Sequence, residues 1–286
     1  MSVFKILDNV SAFPKVKNNS ILIFLILTFI WSWGNWGMAL YFLRSGSHEN
    51  ANYIFMVLFF LGVYGPTLAS IIVTAATGGV NSVNTLVKKY TIWQASSKIY
   101  ILIFALPILI MLIGIGIFHL SAKPVGPFSL PKLGSVLWLV GSGLFAGPLG
   151  EELGWRGYLL PKLQERYSSF KCGVLIGLVW FCWHIPLFFA PVGALVANGD
   201  ITVLYVSVYL IATMCLSFLF TYLSNITQGS VFVAILTHLS INSGLAIVFF
   251  PTLMSSENYL SVIRLAVIPL VIFTIYIVYK TKFSLK

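Results

Sequence analysis

Two adjacent glutamates, Glu151 and Glu152, stand inside a long apolar stretch, in the run Gly147-Pro148-Leu149-Gly150-Glu151-Glu152-Leu153-Gly154-Trp155-Arg156-Gly157. The chain has seven acidic residues, and the other five (Asp8, Glu49, Glu165, Asp200 and Glu257) fall in termini or connecting segments. An acid inside a bilayer is costly unless it is paired or faces water, so such a residue marks a functional site by default. Glu152 and Arg156 are four apart and share a helix face, so they can pair. Glu151 is turned by about 100° from Glu152 and cannot use the same partner equally well. The pattern therefore predicts one structural carboxylate, Glu152, neutralised by Arg156, beside one free carboxylate, Glu151, available for acid–base work. The plainer alternative is that both glutamates lock helices together. Gly143, Gly147, Gly150 and Gly154 read as small residues that let helices approach closely. Pro148 is expected to bend or open the helix beside the glutamates.

Further along, His184 follows an aromatic run, Trp180-Phe181-Cys182-Trp183, and His238 lies in Thr237-His238-Leu239-Ser240-Ile241-Asn242. Asn242 shares a helix face with His238. An amide donor beside an imidazole suits a developing oxyanion. At helical rise His184 and His238 lie roughly 18 Å and roughly 14 Å from the cytoplasmic ends of their segments, so they reach a depth similar to that of Glu151. Trp180, Phe181 and Trp183 read as hydrophobic bulk, and His48 and His119 are given no role. Cys172, Cys182 and Cys215 have no metal-ligand spacing and read as packing residues rather than disulfide partners.

These side chains must be positioned by membrane helices. Of 286 residues, 59% are hydrophobic and 8% charged, with mean hydropathy +0.97. A water-facing surface needs about 25% charged residues, so the composition excludes an ordinary soluble domain. Apolar segments fall at roughly 20–43, 52–76, 99–120, 134–160, 172–190, 202–223, 229–250 and 262–279. Each suits a span of about 20 residues. The expected fold is all-α, a polytopic membrane helical bundle of about eight transmembrane helices. Breaks carry turn chemistry at Ser45-Gly46-Ser47, Gly78-Gly79, Lys123-Pro124 and Asn198-Gly199-Asp200. With the N-terminus in the cytoplasm, thirteen Lys and Arg fall inside and four outside (Arg44, Lys123, Lys132 and Arg264), so both termini are expected to be cytoplasmic. The net charge of +10 then reads as topology signals facing anionic lipid, with no nucleic-acid partner. The first segment lacks a small-residue cleavage site, and a cleaved signal peptide is not expected.

Glu-Glu-x-x-x-Arg at 151–156, an aromatic run before His184, and His-x-x-x-Asn at 238–242 together resemble the three motifs of the CPBP family, the CAAX protease and bacteriocin-processing membrane proteins, also called ABI. The resemblance covers roughly residues 130 to 250. It implies three parts: 1–130 with about three N-terminal transmembrane helices, 131–250 as the catalytic core, and 251–286 as a last helix and basic tail. One departure stands out: the family's second motif usually reads Phe-x-x-x-His, and here Trp180 holds the position four before His184. The resemblance implies an intramembrane endopeptidase, and the expected location is the plasma membrane of a prokaryote. It would act on a peptide or protein substrate reached from the cytoplasmic side or laterally from the bilayer. Glu151 with His184 would activate water, His238 and Asn242 would stabilise the oxyanion, and Glu152 with Arg156 would support the site.

Glu151, His184 and His238 could alternatively ligate Zn2+, since one carboxylate and two imidazoles form a common hydrolytic set. Metal-free activation is preferred, because with Glu151 as a ligand the only carboxylate left to act as base is Glu152, which Arg156 occupies. Two non-peptidase readings remain: an immunity or scaffold protein that keeps the polar cluster for binding, and a proton-coupled transporter. The latter often shows internal repeats, and none is found here.

Overall fold

The structure is a computed structural model and describes residues 18–45, 50–120, 132–191, 201–249 and 256–286. The predicted turns at 46–47, 123–124 and 198–200 lie outside the described residues. Helices α1 (Ser20–Ser45), α2 (Ala51–Val63), α3 (Gly65–Val87) and α4 (Ser97–Leu120) come first. A broken segment follows: α5 (Leu133–Phe145), α6 (Pro148–Glu152), a π-helical stretch Leu153–Leu159, and α7 (Leu160–Gln164). Helix α8 (Ser169–Trp183) runs into a 3₁₀ turn at Ile185–Phe189. Helices α9 (Val203–Ile226), α10 (Val231–Phe249) and α11 (Ser256–Lys280) complete the chain.

The protein is an all-α, multi-pass membrane bundle. Among the described residues seven helices are long and apolar enough to cross a bilayer, and two shorter apolar helices, Ala51–Val63 and Val231–Gly244, accompany them. The outward faces carry Leu22, Ile30, Ile101, Leu137, Ile272 and Ile275, all strongly exposed. A surface of this kind is solvated by hydrocarbon rather than water. All eight predicted segments are helical. The second differs from expectation: α2 ends at Val63, and α3 starts afresh after Tyr64 and extends to Val87. Within α3, Gly79 takes a positive φ of 68° and kinks the helix, a conformation that glycine adopts without steric cost.

Prolines explain how the helices dock. A proline has no N–H, so the carbonyl four residues earlier loses its helical donor and in hydrocarbon must find another. Pro66 opens α3 just past the end of α2, and the Gly62 carbonyl at that end accepts from Ser32 Oγ of α1 at 2.7 Å. Pro107 leaves the Ile103 carbonyl open, and Ser240 Oγ of α10 donates to it at 2.8 Å. Pro161 leaves that of Gly157, and Lys89 Nζ donates to it at 2.6 Å. The second of these bonds anchors α10, the helix of His238 and Asn242, against α4. The densest helix pairings are α8 with α9, α1 with α2, and α4 with α11.

Candidate active site

The expected opening at Pro148 is present. Helix α5 stops at Phe145, Gly147 leaves helical geometry, and α6 restarts with Pro148 at its first turn. The next seven residues widen into a π-helix, a rare form that occurs mostly at functional sites. This places Glu151, Glu152 and Arg156 in the bundle interior, each at most 3% exposed. The glycines divide by role. Gly150 and Gly154 press on the α2–α3 junction, where an added Cβ would meet the Val63 carbonyl at 2.8 Å and the Pro66 backbone at 2.5 Å. Gly147 instead borders the polar cluster. A Cβ there would stand 3.4 Å from Glu151 Oε1, 3.4 Å from His238 Nε2 and 3.5 Å from Asn242 Nδ2. Three of the four predicted catalytic side chains thus converge on one point beside the Gly147 backbone. Asn242 is exposed, while Glu151 and His238 are buried.

The predicted Glu152–Arg156 pair is present, with Arg156 Nη1 donating to both carboxylate oxygens at 3.0 and 2.9 Å. Glu152 does more than expected: its Oε1 also accepts from His238 Nδ1 at 2.7 Å. That bond fixes the His238 ring and directs Nε2 toward Glu151. The Arg156 guanidinium lies 3.9 Å from the Phe220 ring centroid and 4.6 Å from that of Trp180, in cation–π range of both.

Trp180 corrects the reading of the aromatic run as bulk. Its indole N–H donates to Glu151 Oε2 at 2.8 Å, leaving Oε1 for the space beside Gly147. Its backbone carbonyl accepts from His184 Nδ1 at 2.7 Å. A carbonyl only accepts, so Nδ1 of His184 carries a proton, and in the neutral ring Nε2 keeps a lone pair. His184 caps the end of α8 and is not hydrogen-bonded to Glu151 directly; Trp180 is the link. Trp183 and Tyr209 close around the His184 ring, with centroids at 4.8 and 5.5 Å. Phe220 and Tyr209 carry no motif signal in sequence. Trp180 does carry one, being the residue that departs from the Phe-x-x-x-His pattern.

Residues 132–244 match the family model described as type II CAAX prenyl endopeptidase, Rce1-like. This is a likeness over less than half of the chain. The matched segment runs from the start of α5 into α10, and so contains every residue of the polar cluster. Among curated proteins, CAAX prenyl protease 2 of Methanococcus maripaludis is 34% identical over 92 residues, which is 32% of this chain. The chain spans about a third of the length of that relative.

The zinc alternative needs Glu151, His184 and His238 around one ion. Trp180 holds one Glu151 oxygen and both imidazoles use Nδ1 for protein acceptors, which leaves Oε1 and the two Nε2 atoms as the donors an ion would take. Among the described residues no group of three His, Cys, Asp or Glu is arranged to hold a metal. As placed, the three side chains are not gathered around one point.

Proposed function

We propose that the chain is an intramembrane endopeptidase that hydrolyses a peptide bond of a membrane-associated peptide or protein. The observation that carries this reading is the convergence of Glu151 Oε1, His238 Nε2 and Asn242 Nδ2 beside Gly147. A base, a ring nitrogen and an amide donor around one small volume are the parts that water addition to a carbonyl requires. Glu151, oriented through Oε2, takes a proton from water as that water attacks the carbonyl carbon. His184, with its lone pair on Nε2, is its partner in moving that proton to the leaving amine. Asn242 donates to the oxyanion. His238 donates from Nε2 when the ring carries both protons, and Glu152 at Nδ1 is the counter-charge for that state. In that state the buried cluster balances two carboxylates against Arg156 and the imidazolium, which suits a low-dielectric interior.

The substrate reaches the site from the cytoplasmic half of the bilayer, and both chain termini are cytoplasmic. No metal is required. The test is comparative peptidomics of membranes from a deletion strain complemented with wild type or with Glu151→Ala. Peptides that vanish with wild type and persist with Glu151→Ala support the reading. A phenotype fully restored by Glu151→Ala would instead establish a non-catalytic binding protein.

A further inference from the structure

The residues assigned to catalysis do not organise themselves. Glu151 has two oxygens that rotate freely about the last side-chain bond, and nothing on its own helix fixes them. His184 lies on another helix with no hydrogen bond to Glu151. Four separate contacts meet at Trp180. Its indole N–H holds Glu151 Oε2 at 2.8 Å. Its carbonyl holds His184 Nδ1 at 2.7 Å. Its ring lies against the Arg156 guanidinium at 4.6 Å. Its edge meets the His238 ring at 5.7 Å. Trp180 itself is 4% exposed and is steadied by a T-shaped contact with Phe220 at 5.9 Å.

We propose that Trp180 is the positioning residue of the reaction, whose indole N–H orients Glu151 so that Oε1 alone faces the reacting water. This rests on the peptidase reading above. The functional atom is the N–H, not the ring surface. Phenylalanine at this position would fill most of the same space and keep the contact with Arg156, but could not donate. The backbone bond to His184 would also survive, because it uses the Trp180 carbonyl. Losing a hydrogen bond to a charged acceptor, together with the orientation it confers, lowers turnover by about 10- to 100-fold without weakening substrate binding.

Two measurements on the full chain in detergent or proteoliposomes decide it. First, Trp180→Phe should cut kcat by about 10- to 100-fold with KM within about twofold of wild type, and lower Tm by no more than the several degrees that a stranded Glu151 Oε2 costs. Second, one tryptophan indole N–H resonance of the wild-type protein, shifted downfield by its carboxylate acceptor, should move upfield in Glu151→Ala, a comparison that does not require Trp180→Phe to fold. Wild-type kcat in Trp180→Phe, or no indole resonance moving in Glu151→Ala, overturns the proposal while the peptidase reading stands. Loss through KM or stability alone overturns it too, assigning Trp180 to packing. Undiminished cleavage by Glu151→Ala would instead sink the peptidase reading, and this proposal with it.

Discussion

Arg156 is 1% exposed, and among the described residues its positive charge is answered by Glu152 and by the faces of Trp180 and Phe220. Replacing it by methionine keeps the volume and removes the charge. Glu152, fully buried, would then face the interior with His238 as its remaining partner. Breaking a buried pair from one side costs about 3–5 kcal/mol, because the surviving charge is stranded. The cation–π contacts add about 1–2 kcal/mol in a desolvated site. At about 2–4 °C per kcal/mol for a chain of this size, Arg156→Met should lower the Tm by on the order of 10 °C. The double variant Arg156→Met, Glu152→Leu removes the stranded charge as well and should recover most of that loss, since apolar replacement of a buried pair is often neutral. It should not recover activity, because His238 Nδ1 loses its acceptor. Thermal unfolding of the purified variants in one detergent reads out both effects. A double variant as unstable as the single one would refute the reasoning: the cation–π contacts, not the stranded carboxylate, would then dominate.

Other outcomes follow from the same geometry. Gly147→Ala should place its Cβ among three polar tips at 3.4–3.5 Å and lower kcat by tenfold or more while leaving Tm within a few degrees. Gly154→Ala, 2.5 Å from the Pro66 backbone, should instead destabilise by about 1–3 kcal/mol or more, seen as poor accumulation in membranes. Asn242→Ala should reduce kcat by about 10²- to 10³-fold with little change in KM, as removal of an oxyanion donor does. Ser240→Ala strands the Ile103 carbonyl and should lower Tm by several degrees, while Ser240→Thr, which keeps a hydroxyl, should cost less. Prolonged treatment with a strong chelator should leave cleavage unchanged, and zinc-restorable loss would return Glu151, His184 and His238 to the status of ligands.

The apolar segments were legible because hydropathy over about 20 residues reports directly on crossing a bilayer. The Glu152–Arg156 pair was legible because four-residue spacing fixes a shared face within a single helix. The break at Tyr64 was not, because apolar residues continue through it and hydropathy does not record which backbone groups are bonded. The π-helical stretch was hidden for the same reason. Long-range contacts were the other gap. Glu152 meets His238 across 86 residues and Trp180 meets Glu151 across 29, and these meetings depend on how each helix is rotated against its neighbours. Composition said that Trp180 belonged in an apolar interior. Only the tertiary placement of Trp180 beside Glu151 turned its N–H into a carboxylate partner.

The central claim is that Glu151 activates water in this cluster. Its most direct test is turnover of a membrane-anchored peptide by purified protein in proteoliposomes, comparing wild type with Glu151→Gln and following products by mass spectrometry. The substitution keeps size and hydrogen bonding but cannot accept the proton. Cleavage by wild type, at least 10²-fold slower in Glu151→Gln at equal Tm, is the predicted result. Equal cleavage by the two proteins would contradict the account.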